Sequence, residues 1–274
     1  CMKAFIKNIE FHVPNKTVTN QDLVKENPDW DIDKIYKLTG ISNRHIVENE
    51  TATDLAVKVG EKFFSKHSET FLKVDYLILC TQSPDYFLPT SACLIQSRLG
   101  LGKSIGAIDV NQGCSGFVYS LGLAKGLIES NQASNVLIIT SETYSKFINK
   151  RDKSVRTLFG DAAACTLVSS SNGGERKISQ ITHGTDGSGG DHLIVPDGGM
   201  RSPISKDSFT EFVDESNNVR SAANLYMNGS AILTFTLSKI PRVFQSILEK
   251  NNVTCEDIDL VVFHQANKSM LDRL

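Results

Sequence analysis

The sequence predicts an α/β fold, a mixed and largely parallel sheet covered by helices on both faces. Three observations carry this. Strand-like and helix-like segments alternate along the chain. The apolar runs "VDYLILC" and "NVLIIT" are strand-length and far too short to span a membrane. The 274 residues, 40% of them hydrophobic, suffice for a large core in one large domain or two smaller ones.

"KAFIKNIEFHV" reads as an opening strand. Residues 51–66 place Leu55, Val59 and Phe63 on one helical face, with Thr51 or Thr53 as the cap. Residues 74–80 form a short buried strand, and 90–100 a helix ended by Gly100. "SIGAIDV" (104–110) is a strand, 115–130 a helix, and "NVLIITSE" (135–142) another strand. "SNGGERK" (171–177) is a polar turn cluster, followed by a loop-rich tract over 184–203. A helical stretch over roughly 221–250 is expected to be interrupted at Pro241. After it come the apolar run of "IDLVVFHQAN" (258–267), read as a strand, and the start of a helix. That run echoes "VDYLILCTQS" (74–83). The echo has two readings: any β-α unit looks like this, or an α/β half is duplicated with the site where the halves meet.

Basic and acidic residues nearly balance, 29 against 31, so no field favours nucleic acid or an anionic membrane. "CMKAFIKNIEFHVPN" has no apolar run suited to a signal peptide, and Cys1 ahead of Met2 looks like an appended residue. The six cysteines show no zinc-type spacing, so reduced thiols in a cytoplasmic protein are expected. No metal is expected.

Two residues stand out chemically. Cys114 in "DVNQGCSGF" lies between a strand and a helix, where free N–H groups and the helix dipole favour thiolate. Gly113 and Gly116 permit a sharp turn and close substrate approach. The competing reading is a small buried core cysteine. His264 follows "DLVVF" directly and suits proton transfer or donation to an oxyanion, against a plain strand-end histidine. The glycine tract "GTDGSGGDH" matches neither G-x-G-x-x-G nor a P-loop, and reads as a pocket-lining loop or a surface turn. "FGDAAAC" (159–165) suggests close packing near the site.

Together these residues resemble the thiolase superfamily, and within it β-ketoacyl-acyl-carrier-protein synthase III. The resemblance rests on "LPTSACLIQSRLGL" (88–101), "DVNQGCSGFVYSLGLAKGLI" (109–128), "LFGDAAACTL" (158–167) and "DLVVFHQAN" (259–267), with "TGISNRH" and "MNG" in place. Cys114 and "HQAN" stand in this order 150 residues apart. The resemblance implies a thiolase-like five-layered α-β-α-β-α fold of two similar halves, 1–170 with the nucleophile and 171–274, the second incomplete. It implies a homodimer that takes acyl-CoA as substrate with no tightly bound cofactor. Cys114 would be acylated and malonyl-acyl carrier protein would lose CO2, its enolate then extending the acyl group. His264 would stabilise the enolate. Asn267 and Gly229 would line the pantetheine channel, and Trp30 would stack on the CoA adenine.

Some positions depart from the family pattern. More residues separate Trp30 from "TGI" than usual. A basic position after "HQAN" is Ser269 here, with Lys268 adjacent. A phosphate-binding arginine is replaced by Lys153, a point charge without the bidentate fork, with Arg151 or Arg156 as substitutes. The family's third catalytic residue, an asparagine, and a glycine-rich strand fall past position 274. The chain is therefore expected to be a truncated form with impaired condensing activity. Three alternatives stay open: a thiolase-fold acyltransferase to an amine or hydroxyl without decarboxylation, a cysteine hydrolase using Cys114 and His264, and a non-catalytic scaffold.

Overall fold

A computed structural model describes residues 2–172 and 176–274. Cys1 and the centre of the "SNGGERK" turn lie outside the described residues. In chain order the strands and helices are β1 (Lys3–His12), β2 (Lys16–Thr19), α1 (Asn20–Glu26), α2 (Ile32–Thr39), β3 (Asn43–Ile46), α3 (Ala52–Lys66), β4 (Tyr76–Cys80), α4 (Ser91–Arg98), β5 (Gly106–Val110), α5 (Gly116–Glu129) and β6 (Asn135–Glu142). Then follow α6 (Lys153–Arg156), β7 (Ala162–Ser171), β8 (Leu193–Ile194), β9 (Phe212–Val213), β10 (Val219–Arg220), β11 (Tyr226–Met227), α7 (Gly229–Asn251) and α8 (Lys268–Leu271).

The chain divides into two compact units, each drawn from separate stretches. The first comprises Cys1–Lys16, His45–Thr143 and Asp161–Ile181. Its centre is a five-stranded sheet in the order β1-β7-β6-β4-β5. β4 pairs parallel with β5 and β6, while β7 runs antiparallel to both β6 and β1. Only β7 opposes the common direction, so the sheet is mixed, as the alternation of elements predicts.

Strand periodicity sorts the two faces. Leu77 and Leu79 of β4 and Leu137 and Ile139 of β6 join Leu55, Val59 and Phe63 of α3 in one core cluster. Ile78 of β4 and Val136 and Ile138 of β6 join Ala124 and Ile128 of α5 in another. The residues named here are at most 1% exposed, which makes the two faces the main apolar support of this unit. Thr51, not Thr53, caps α3: its side chain accepts from the Asp54 N–H, and Asp54 returns the bond to the Thr51 N–H. α4 ends before Gly100, which takes φ +67°.

The second unit comprises Thr17–Arg44, Tyr144–Gly160 and Thr182–Leu274. It holds short two-stranded pieces, β9 with β10 and β8 with β11, and a cluster of Ile148, Val155 and Leu225. α2 packs against α8 here. Arg44 is buried, donating to the Val18 and Thr157 carbonyls and to Asn20 Oδ1.

Two expectations change, and one open pair of readings, that of the glycine tract, is resolved. The long helix is α7, which starts at Gly229 with Asn228 as its cap and runs unbroken through Pro241 to an αL cap at Asn252. Pro241 is exposed, where the missing N–H is the smallest loss. The glycine tract is a surface turn, mostly exposed, with Asp186 accepting from the Ser188 N–H. The run over 258–263 forms no strand, because it has no ladder partner among the described residues. Leu260 and Val262 are accordingly 77% and 79% exposed. For the same reason the second large sheet of a five-layered architecture is not assembled among the described residues.

Candidate active site

β5 and α5 build the turn that carries Cys114. β5 ends at Val110, whose carbonyl accepts the Gln112 N–H at 3.1 Å. The Gly116 N–H donates to the Gly113 carbonyl at 2.8 Å, closing the turn around Cys114. α5 begins directly after it with Ser115 as its cap, and Ser115 makes no side-chain cap bond. The Gly116 N–H is thus spent on the turn, and the Ser115 side chain supplies no acceptor for the N–H groups that follow it.

Gly116 is required at this point. A Cβ built there would lie 2.2 Å from Cys80 Sγ. The Cys80 thiol is fully packed beneath the turn and donates to the Gln112 carbonyl at 3.3 Å. The turn therefore rests on Cys80, with the first turn of α5 drawn close to the sheet.

Cys114 reaches solvent as a free thiol. The protein around it nonetheless raises its pKa, chiefly by desolvation. A backbone hydrogen bond opposes the rise and the charge of Glu142 adds to it. This effect opposes the helix-terminus preference for thiolate that the sequence suggests. Burial also pushes Cys80 up, to about 11, so it is the more inert thiol.

Two residues that sequence reasoning passed over complete the strand ends. Asp109 of β5 accepts the N–H groups of Ser91 and Ala92, both at 2.8 Å, and so caps α4. Glu142 ends β6 and accepts from the Gln82 N–H and Ser83 Oγ, each at 2.7 Å. Ser83 Oγ in turn accepts the Thr143 N–H at 3.0 Å. The signal was present in "NVLIITSE" and "SIGAIDV": a carboxylate at or near the carboxyl end of an apolar strand. Asp161 of "FGDAAAC" accepts the Val47 N–H at 2.8 Å and donates its own to His45, which ties β7 to the 45–47 segment.

The other candidate residues lie in the second unit. His264 is exposed in the extended 258–267 segment, and desolvation lowers its pKa, favouring the neutral ring. Asn267 caps α8, its Oδ1 accepting the Met270 N–H at 2.8 Å. Trp30 is half-buried just ahead of α2, its N–H donating to the Asn27 carbonyl. Packing of α2 on α8 thus brings the elements bearing Trp30 and Asn267 together. Gly229 opens α7, where an added Cβ would meet only Met227 Cε at 4.0 Å, so packing alone does not demand glycine. Arg151 and Lys153 are exposed, with Arg151 paired to Glu211. Arg156 is buried and 3.6 Å from Glu26, which removes it as a surface phosphate ligand. Among the described residues no three His, Cys, Asp or Glu side chains cluster to hold a metal.

A relative from Campylobacter fetus, a β-ketoacyl-[acyl-carrier-protein] synthase III, is 37% identical over 274 residues, 98% of this chain and 79% of the relative. The chain belongs to the β-ketoacyl-acyl-carrier-protein synthase III family. The sequence model described as 3-oxoacyl-[acyl-carrier-protein (ACP)] synthase III matches residues 108–187, which include Cys114, Asp109 and Glu142. A Lactococcus lactis synthase III is 34% identical, over 99% of this chain and 79% of its own. A solved 3-oxoacyl-(acyl-carrier-protein) synthase III superposes with TM-score 0.96 at 47% identity, covering 99% of this chain and 81% of that one. A 3-oxoacyl-(acyl-carrier protein) synthase from Burkholderia xenovorans does so with TM-score 0.86 at 32% identity, covering 100% and 77%. The fold is therefore the thiolase-like α/β fold of synthase III, and the chain is an enzyme of that type.

Proposed function

We propose that the protein condenses an acyl-CoA with malonyl-acyl carrier protein through an acyl-Cys114 intermediate, starting an acyl chain. The observation that carries this is the Cys114 turn itself. An exposed thiol sits between Gly113 and Gly116, one residue ahead of a helix whose Ser115 cap makes no side-chain cap bond. Cys114 Sγ attacks the thioester carbonyl, and CoA leaves as a thiol carrying the proton. The malonyl group then loses CO2, and its enolate carbon attacks the acyl carbonyl. Cys114 departs and a 3-oxoacyl thioester remains on the carrier. The covalent step divides one difficult condensation into two easier ones.

His264 is the residue for the enolate step, since a neutral ring can donate its N–H to the developing oxyanion. Asn267 spends Oδ1 on α8, so its part on the pantetheine arm falls to its amide NH2. Gly229 and Trp30 belong to the same substrate channel, and Arg151 and Lys153 are the cations for CoA phosphate. Residues 1–170 and 171–274 correspond to two related halves. A cytoplasmic homodimer fits this reading. Tyr86, Phe87 and Leu88 are 61%, 79% and 82% exposed in one loop, an apolar surface suited to a second copy. The segment bearing His264 has no ladder partner among the described residues, so acylation is expected to outpace condensation in the 274-residue chain.

Intact and peptide mass spectrometry with a panel of acyl-CoAs tests this. The acyl mass should appear on Cys114 and vanish in Cys114→Ser. His264→Ala should keep the adduct and lose roughly 100-fold or more in CO2 release from malonyl thioester. Native mass spectra of the same samples should show two chains. An adduct at another residue, or none with any donor, would refute the nucleophile. Transfer of the acyl group to an amine or hydroxyl without CO2 release would favour the acyltransferase alternative.

A further inference from the structure

The carboxyl ends of β6, β4 and β5 lie side by side, with Cys80 in register with Thr140 on one side and Val110 on the other. Alternation then decides which side chains share a face. Val136 and Ile138 of β6, Ile78 of β4 and Ile108 and Val110 of β5 all belong to the cluster under α5. Two-residue periodicity puts Thr140, Glu142 and Cys80 on that same face. This is the face whose covering helix begins directly after Cys114, and Cys80 is the side chain that meets its first turn at Gly116.

We propose that Glu142 is a further residue of the nucleophile site, a positioning residue whose carboxylate anchors the turn after β4 on the sheet face that supports the Cys114 turn, and whose charge is coupled to the Cys114 thiol. The proposal rests on the reading of Cys114 as the nucleophile.

Anchoring follows from the bonds already described. Gln82 N–H and Ser83 Oγ donate to the two carboxylate oxygens, and Thr81 Oγ1 lies 3.5 Å away. These donors are neutral, so they position the charge without cancelling it. Desolvation raises the carboxyl to about 7 against the pull of those bonds, and its charge in turn raises both Cys80 and Cys114. Three other acidic groups lie at this end of the sheet, and of these Asp85, in the loop after β4, has a buried Oδ1 without a hydrogen-bond partner among the described residues. Asp109 caps α4, and Asp161, beside the Ala162 that pairs with Glu142, accepts the Val47 N–H. His45, which supplies the carbonyl for Asp161, directs Nδ1 to the Pro14 carbonyl at 2.7 Å. Among these acids, Glu142 is the one whose charge acts on the Cys114 thiol. In the absence of substrate the bias suppresses thiolate, the form that stray electrophiles and oxidants attack.

The test is the rate of Cys114 alkylation by iodoacetamide against pH in the full 274-residue chain, read by peptide mass spectrometry. An isolated thiol gives a logarithmic rate that rises with slope one until it titrates. Coupling to Glu142 breaks that line with a shoulder near neutrality, because each proton lost by Glu142 makes the next harder to remove from Cys114. In Glu142→Gln the shoulder should disappear. Between the shoulder and the thiol midpoint the rate should rise, by about threefold for every tenfold gain in thiolate because lower intrinsic nucleophilicity offsets the rest. An unbroken slope-one line in the parent overturns the proposal, as does an E142Q profile that keeps the shoulder. The parent profile decides the matter even if E142Q fails to fold. A shoulder at Cys114 with no acyl adduct from any acyl-CoA would refute the nucleophile reading while leaving the coupling in place.

Discussion

Gly116→Ala is the sharpest probe of how the nucleophile turn is held. The new Cβ would sit 2.2 Å from Cys80 Sγ and 3.1 Å from Gln112 Cβ. Ordinary contact needs about 3.5–4.0 Å, so roughly 1.5 Å must be found against the sulfur. Cys80 is 4% exposed and sits on a strand paired on both sides, so its backbone cannot retreat. Rotating its thiol gives up the bond to the Gln112 carbonyl and crowds the face under α5. Overpacking of this kind costs about 1–3 kcal/mol. Alanine in place of glycine returns at most about 1 kcal/mol of helix propensity. A net loss of about 1–2 kcal/mol is expected, or roughly 2–8 °C in melting temperature for a chain of this size. Thermal and urea unfolding followed by circular dichroism measure it. The pair Cys80→Ala with Gly116→Ala should recover most of the loss, since removal of the sulfur vacates the space. A G116A protein as stable as the parent, or a double variant showing no coupling, would refute the placement of Cys80 beneath the turn.

Two further predictions concern the supports on either side. Asp109→Ala should cost about 2 kcal/mol, because both first-turn N–H groups of α4 lose a charged acceptor, and Asp109→Asn should cost less; equal stability of D109A and parent in urea would exclude this capping role. In the second unit Arg220 lies 3.3 Å from the buried Asp152 carboxylate and 2.6 Å from Asp214. Arg220→Met should cost about 3–5 kcal/mol at neutral pH by leaving Asp152 unpaired. Desolvation already raises the Asp152 pKa, so the folded state takes up its proton more readily than the unfolded state. The deficit should therefore shrink as pH falls, and a pH-independent deficit would refute the pairing.

Much of the fold was legible in the sequence because local chemistry decides it. The strand runs that became β4, β5 and β6 are apolar on both faces, as strands covered by helices on each side must be. The Thr51 cap, the αL glycine at 100 and the strand-to-helix junction at Cys114 each follow from the conformational preferences of a few neighbouring residues. The apolar run at 258–263 misled because a strand is a property of a pair. Its residues suit β structure, but no neighbour supplies the ladder bonds. Residues 16–46 carry local signals of the same kind, Ile32 and Ile35 at helical spacing after the Asp31 cap of α2 and the Thr19–Asp22 capping box of α1.

The sequence by itself determined the α/β class and the family, because these depend on periodicity and on short motifs contiguous in the chain. Only the tertiary structure decided what surrounds Cys114. Cys80 and Glu142 are 34 and 28 residues from Cys114 along the chain, and they share its face only because three strands align in register. The groups that bias the thiol's ionisation likewise come together only there. A helix terminus is a local feature, but desolvation and a neighbouring carboxylate act through space, and no spacing in the sequence records them.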